Sequence, residues 1–497
     1  MLEYNSRSHC KFPAQHACAC QAKEQHVSDS KESEVFQHFG AYSGYDQSYY
    51  SHFNVKRGLR NADGTGVVAG ITSISNVHGY LTDEGVRVPD EGRLTLRGYD
   101  IEDLVDAAAA EGRPGYEELA YLLIAGDLPK KAELERFNAA IDGYRNLPDG
   151  FVNNLIMNYP SENVMNMMAR SVLMLYAADG ADEIDAINKR HEIEVAVQLL
   201  SRLPRLAALS YLASRQRTVA GSPMYINPPK PGLSTAETFL YMLRHDMQYT
   251  AEEARMLDIM LMLHAEHGGG NNSTFTTRVL TSSGTDAYSA YAGGICSLKG
   301  PRHGGANIKV VEQRRDLMEQ VGDPSDEGQV ADYLRRVLKK EAFDNSGLIY
   351  GMGHAVYTLS DPRAAICKKY ARELASGTEY EQEFELVETI ERLTPELFQE
   401  ARGSRKAICA NIDMYSGLVY TMLGIPEELY TPLFATARMA GWAAHRFEEI
   451  VEGKRIIRPA YKAINSSRSY IPMDEREQAV QEEVVEEIDH VQTFYND

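Results

Sequence analysis

The chain has 497 residues, with 51 Lys and Arg against 71 Asp and Glu and a formal net charge of −20. That length exceeds the usual single domain and buries a large core without disulfide or metal staples. The acidic balance excludes nucleic acid as a principal partner, because phosphates demand a basic footprint, but it leaves room for an anionic small molecule held by a local arginine cluster.

Residues 1–55 are polar and aperiodic and read as a mobile N-terminal extension. His9, Cys10, His16, Cys18 and Cys20 cluster there without a zinc-finger spacing, so they are taken as tail residues and not as metal ligands. Cys296, Cys367 and Cys409 are scattered through helical contexts, as expected of reduced thiols in a cytoplasmic protein. No apolar run approaches the ~18 residues of a membrane span. The first twenty residues carry no secretory apolar region.

Gly66 to Tyr80 mixes β-branched residues with glycine, and Gly92 to Tyr99 continues in kind; both predict short strands of a small β element. Everything after is expected to be mainly helical. Apolar residues at helical spacing mark 101–111, 116–125, 131–146, 161–178, 191–215, 234–247, 251–264, 273–283 and 288–298. Leu203-Pro204 is expected to kink or break one of these. Further helices are predicted at 308–321, 323–340, 362–376, 382–393, 414–423 and 432–450, the last carrying the only tryptophan, Trp442. The stretch 309–412 is more charged than what precedes it and reads as a small helical domain inserted between 56–308 and 413–497, which together form a larger one. The acidic end, with Glu482, Glu483, Glu486 and Glu487, reads as a solvated helix or tail.

Four short pieces carry the chemistry. They are His264-Ala-Glu-His267-Gly-Gly-Gly-Asn-Asn, Gly300-Pro-Arg-His303-Gly-Gly-Ala-Asn307, Gly351-Met-Gly-His354-Ala-Val-Tyr357 and Asn411-Ile-Asp413-Met-Tyr-Ser-Gly417. His303 sits between glycines just before a helix, whose positive end disfavours a charged imidazole. A neutral imidazole there can donate to a carbonyl oxygen and stabilise an enolate; alone, it could also be a plain helix cap. His354, between glycines in a loop, suggests close approach to a ligand, though a GxG outside a strand–helix context is weak evidence for a dinucleotide. Asp413 is either a first-turn cap or a base whose pKa is raised by apolar neighbours. His264 and His267 share one helical face, but HExxH is absent and no third ligand follows, so no metal is expected. Arg438 lies in an apolar helix, where a carboxylate-binding fork explains a guanidinium better than solvent does. Arg363, after Asp361-Pro362, and Arg458, in Arg455-Ile-Ile-Arg-Pro, extend the arginine set.

Together these pieces resemble the citrate synthase family over residues 60–465, through HxxHGGGN, GPRHGGAN, GMGHAVYxxxDPR, NIDMYSG, LFATARMAGW and RIIRP in family order. The resemblance implies a mainly α two-domain homodimer with a small N-terminal β element and its active site in the cleft. It implies that His303 holds the thioester carbonyl of acetyl-CoA, Asp413 removes a methyl proton, and His354 donates to the carbonyl of oxaloacetate. It assigns the carboxylates to His267, Arg363, Arg438 and Arg458, the last reaching from the other subunit. It assigns CoA contacts to Tyr350, Gly351, Met352, Gly353 and Asn411. CoA enters as a co-substrate, and no permanent cofactor, nucleic acid or membrane is expected. A 2-methylcitrate synthase using propionyl-CoA would carry the same residues, and a non-catalytic helical scaffold is the alternative from another class. Neither the extension nor residues 144–190 are covered by these motifs.

Overall fold

The structure, a computed structural model, describes residues 46–83, 86–180, 187–403 and 407–476. The cluster from His9 to Cys20 and the acidic run from Glu482 to Glu487 lie outside the described residues. The chain divides into two compact units, one of residues 60–463 and one of 1–59 with 464–497. In the latter, a short helix, α1 (Ser48–His52), ends at Phe53, whose ring meets His52 edge-on at 4.6 Å, and Arg57 covers Tyr50.

Residues 60–463 open with a three-stranded antiparallel sheet in the order β1 (Ser75–Asp83), β2 (Val86–Leu96), β3 (Tyr99–Asp100). The sheet begins later than the sequence suggests. Residues 67–74 form no strand, and Val68 and Ile71 are 90% and 96% exposed, so their β-branched pattern has no sheet to bury in. The helices that follow are α2 (Ile101–Glu111), α3 (Tyr116–Ala125), α4 (Lys131–Gly143), α5 (Val164–Ala178), α6 (Lys189–Thr218), α7 (Thr235–Leu243), α8 (Ala251–His264), α9 (Asn272–Ser282) and α10 (Ala287–Lys299). Then come α11 (Ala306–Gln320), α12 (Glu327–Leu338), α13 (Pro362–Ala375), α14 (Glu381–Arg402), α15 (Asp413–Met422) and α16 (Tyr430–Glu452). Their limits follow local chemistry: Ser234 with Glu237 and Thr250 with Glu253 form capping boxes at α7 and α8, and left-handed Gly112 and Gly126 end α2 and α3.

Of the kink or break expected at Pro204, the break does not occur: α6 stays helical for 30 residues through it. An interior proline costs about 3 kcal/mol by removing an N–H and crowding a carbonyl. Leu199, Leu203, Leu206 and Leu209 are fully buried around it, and packing against α7 and α16 holds the helix together. The core centres on α16, which packs on α3, α6, α8, α9 and α10. From Leu433 to Ala444 this helix is apolar and buried on nearly all sides, as an internal helix must be.

The sheet braces one loop of the helical body. A Cβ added at Gly79 would lie 2.9 Å from the Val356 carbonyl oxygen, and one at Gly92 only 2.0 Å from that of Ser360. The Gly92 N–H donates to Ser360 Oγ at 3.0 Å. Gly79 also marks the irregularity between His78 and Tyr80 in the β1–β2 register. Gly92→Ala must therefore push the 354–360 loop away. We expect a loss of about 1–3 kcal/mol in urea unfolding, the usual scale of overpacking.

Candidate active site

Short segments from six places in residues 60–463 meet here. After α8 the chain turns through Glu266, His267 and Gly268; Gly268 has φ +89° and approaches Val77 of β1. His264 itself points into the core, between Tyr420 and Phe434, with its Nδ1 against the Met260 carbonyl at 2.8 Å. Burial lowers its pKa to about 3. The i, i+3 pair thus separates into one core histidine and one site histidine, and among the described residues no cluster of three His, Cys, Asp or Glu is arranged to hold a metal.

His303 follows a tight turn, its N–H bonded to the Gly300 carbonyl at 2.9 Å, and precedes α11. Its Nε2 receives the Ser273 N–H at 3.3 Å and lies 3.0 Å from Ser273 Oγ, which in turn accepts from Trp442 Nε1 at 3.2 Å. A ring nitrogen that accepts from a peptide N–H carries no proton, so the geometry assigns the His303 proton to Nδ1. Burial, with Arg438 nearby, lowers its pKa to about 4.

His354 has the opposite tautomer. Its Nδ1 accepts the N–H groups of Val356 and Tyr357, both at 3.1 Å, leaving the proton on Nε2. The ring stacks on Tyr357 at 4.7 Å and meets His267 edge-on at 5.0 Å; His267 Nε2 lies 3.3 Å from the Tyr357 hydroxyl. Burial and Arg363 bring the His354 pKa down to about 4, and burial with Arg363 holds that of His267 well below its ordinary value. All three site imidazoles are therefore neutral at physiological pH.

The segment that presents His354 is zipped to residues 409–411. Gly351 and Gly353 take φ +83° and +92°, and a Cβ at Gly351 would strike Met414 Cα at 2.9 Å, so only glycine fits there. The Gly353 N–H donates to the Cys409 carbonyl at 2.7 Å, the Asn411 N–H to the Gly351 carbonyl at 2.8 Å, and Asn411 Nδ2 to the Gly353 carbonyl at 2.8 Å. Asn411 Oδ1 then accepts the Asp413 N–H at 2.9 Å, tying the loop to the first turn of α15. Met352 packs on the core, while the Tyr350 hydroxyl donates to Asp344 at 2.8 Å. Burial raises the Asp413 carboxyl to about pKa 6, with Arg363 pulling against it.

Both central arginines are inside the protein. Arg363 pairs with Asp361 through Nε at 3.1 Å and an Nη at 2.7 Å, and Asp361 also caps α13 by accepting the Arg363 N–H. Arg438 is fully buried on α16, its Nε donating to the His264 carbonyl at 2.7 Å and its plane 4.7 Å from the Phe434 ring. Phe434 also touches His303, at 6.2 Å between ring centres, so Arg438 and His303 share a wall. Arg458 is not brought to this group: it is exposed in the irregular stretch after α16, with no hydrogen bond or ion pair to these residues among those described.

Ser273, Glu266, Tyr357 and Asp361 had no signal of their own in the sequence beyond lying within or beside the motifs. A groove of about 970 Å³ lies elsewhere, over α12 and α14. Its two cations are both paired, Lys368 with Glu391 and Glu388 and Arg392 with Glu327, and the remainder of its charged lining is acidic.

A family model described as citrate synthase, C-terminal domain, matches residues 61–460. The chain belongs to the citrate synthase family. It is an enzyme of that family, 34% identical over 418 residues to a citrate synthase of Acidithiobacillus ferridurans, covering 83% of this chain and 97% of the relative. It is also 33% identical over 411 residues to a 2-methylcitrate synthase of Corynebacterium glutamicum, covering 82% and 94%. Among solved structures, the Thermoplasma acidophilum citrate synthase, in a ternary complex with carboxymethyl coenzyme A and oxaloacetate, aligns with a TM-score of 0.68 and 28% identity over 85% of this chain and 99% of that one. The mainly helical architecture with one small sheet is that of this family.

The Asp361–Arg363 pair gives a stability test. Asp361→Asn strands a buried guanidinium, and breaking such a pair costs about 3–5 kcal/mol. We expect a loss of that order in denaturant unfolding.

Proposed function

We propose that this enzyme condenses acetyl-CoA with oxaloacetate and water to give citrate and CoA, through an enol or enolate made by Asp413. The observation that carries this reading is a proton inventory suited to one reaction: a buried carboxylate of pKa about 6 that shares Arg363 as a charged neighbour with His354, and imidazoles of pKa about 4 whose tautomers are set by backbone donors. In this mechanism His303 donates Nδ1–H to the thioester carbonyl. Asp413 takes a proton from the adjacent methyl, and the charge that develops on the oxygen is met by an uncharged donor. His354 donates Nε2–H to the keto oxygen of oxaloacetate as the enol carbon attacks it. Water then hydrolyses the citryl thioester. His267, Arg363 and Arg438 hold the carboxylates, and Arg458 of a second copy completes them in a homodimer. Residues 350–353 with Asn411 receive CoA, and residues 309–412 act as a small domain that closes over 56–308 and 413–497 to exclude water. The scattered Cys296, Cys367 and Cys409 suit a cytoplasmic setting.

Propionyl-CoA is the second substrate to consider, because the relatives include a 2-methylcitrate synthase at nearly the same identity. One extra methylene is worth only about 1–3 kcal/mol in a pocket. Free-thiol release with oxaloacetate and each acyl-CoA tests both. We expect the larger kcat/KM with acetyl-CoA; a preference for propionyl-CoA reverses the assignment, and no thiol release with either overturns the condensation itself.

The base makes a pH prediction. Asp413 works only when ionised, so kcat/KM should fall as pH drops through about 6. The histidines, with pKa values of about 4, stay neutral over that limb. Asp413→Asn should retain the fold and oxaloacetate binding, lose about 10²–10⁴-fold in turnover, and lose the acid limb. Wild-type-like turnover in that variant removes Asp413 from the mechanism.

A further inference from the structure

The inference deepens the reading of Arg438 as a carboxylate ligand and rests on it. Glu266 is wholly buried, two residues past the end of α8. Its Oε1 is pinned by three donors: Ser75 Oγ at 2.9 Å, the Gly268 N–H at 2.6 Å and His445 Nε2 at 2.9 Å. The His445 proton is directed to Nε2 because Arg278 donates Nε and an Nη to Nδ1, at 3.0 and 2.7 Å. Arg278 is itself held by Glu448 and by Glu449, the latter at 2.9 Å. Burial would raise the Glu266 pKa, but His445, Arg438 and Ser75 outweigh it and bring it to about 2.

The other oxygen, Oε2, is buried and accepts no hydrogen bond. It lies against Gly441, one turn along α16 from Arg438: a Cβ there would be 2.3 Å from Oε2 and 3.4 Å from Arg438 Cδ. Both Nη atoms of Arg438 are likewise buried and donate to nothing. A carboxylate oxygen with open lone pairs and a guanidinium with two open nitrogens thus share one buried neighbourhood, opposite in charge and unjoined by a hydrogen bond. Buried polar atoms in native proteins are nearly always paired, so unmade bonds of this kind call for a partner that arrives later.

We propose that Glu266 is the resident counter-ion of Arg438, a positioning residue that offsets the buried positive charge and holds the guanidinium aligned while leaving both Nη atoms for an incoming carboxylate. The three donors on Oε1 have a reason under this assignment. They stop Glu266 from swinging onto Arg438 and occupying the place of the substrate. The fixed negative charge also opposes the oxaloacetate dianion, so part of the affinity Arg438 offers is given up to compensate its charge in an apolar helix.

Calorimetry and thermal melts with oxaloacetate test this on the full chain. Glu266→Gln should melt lower than wild type when empty, yet bind oxaloacetate roughly tenfold more tightly, the scale on which one neighbouring charge acts. A residue that only held the fold together would lose stability and affinity together. Ser75→Ala is the second variant, should Glu266→Gln not fold. Freed from one anchor, the carboxylate competes better for Arg438, and the oxaloacetate Kd should rise by about the same factor. An unchanged or higher Kd in Glu266→Gln, or an unchanged Kd in Ser75→Ala, overturns the counter-ion role alone, provided wild type binds oxaloacetate. If wild type does not bind it, the reading of the whole site falls, and this role with it.

Discussion

Two of the buried guanidiniums, those of Arg363 and Arg438, lie at this site, and the rest of it follows from what it takes to keep them there. Taking an ion out of water costs several kcal/mol even after relaxation, so each needs an anion or a set of oriented acceptors. Arg363 has a two-point pair with Asp361 on the same helical turn. Arg438 has only a carbonyl at Nε and an unbonded carboxylate nearby, and burial lowers its pKa to about 10 with Glu266 holding it up. The positive field they create presses on every other titratable group. It adds to burial in keeping His267, His303 and His354 neutral, and it opposes burial at Asp413, which therefore rises only to about 6. A carboxylate that is ionised at neutral pH in a site whose imidazoles are not is thus a consequence of where the arginines lie.

That field would be of little use without fixed geometry, and the backbone supplies it. The 351–361 loop is held from two sides: residues 409–411 bind it by main-chain hydrogen bonds, and the β1–β2 hairpin presses two glycines onto the 356 and 360 carbonyls. The small sheet therefore acts as a brace for a helical site. A hairpin of two strands is marginal alone; here its stability and the position of the loop depend on each other.

Much of this was legible in the sequence. The helical periodicity located nearly every helix to within a few residues, and of the singled-out residues His267 packs on His354 while His303 and Arg438 both adjoin Phe434. What failed did so for identifiable physical reasons. A kink or a break was expected at Pro204; the break is absent because packing on both flanks outweighs local propensity. Strand character was expected from Gly66, but β-branched residues favour a strand only where a partner pairs with them, and pairing starts at Ser75. Ser273 and Glu266 were silent because their importance lies in hydrogen bonds to residues 30 and 179 positions away. No local pattern encodes such contacts. Nor could spacing tell that His264 turns into the core while His267 faces the site.

The same logic explains why the two glycine-flanked histidines need different support. For His303, a single peptide N–H from the start of α9 claims Nε2, and Ser273 Oγ is kept in place by the core tryptophan. For His354, two consecutive N–H groups of its own loop claim Nδ1, so its tautomer depends on loop conformation and hence on Gly351, Gly353 and the hairpin glycines. The first donor is fixed by the rigid interior, through α16 and α9. The second is fixed by a loop clamped at its edges. Backbone amides have no titration in the working range, so these assignments hold whatever the pH does to neighbouring side chains. Proton placement in this site is thus set by main-chain geometry, with side-chain charges deciding only that the imidazoles remain neutral.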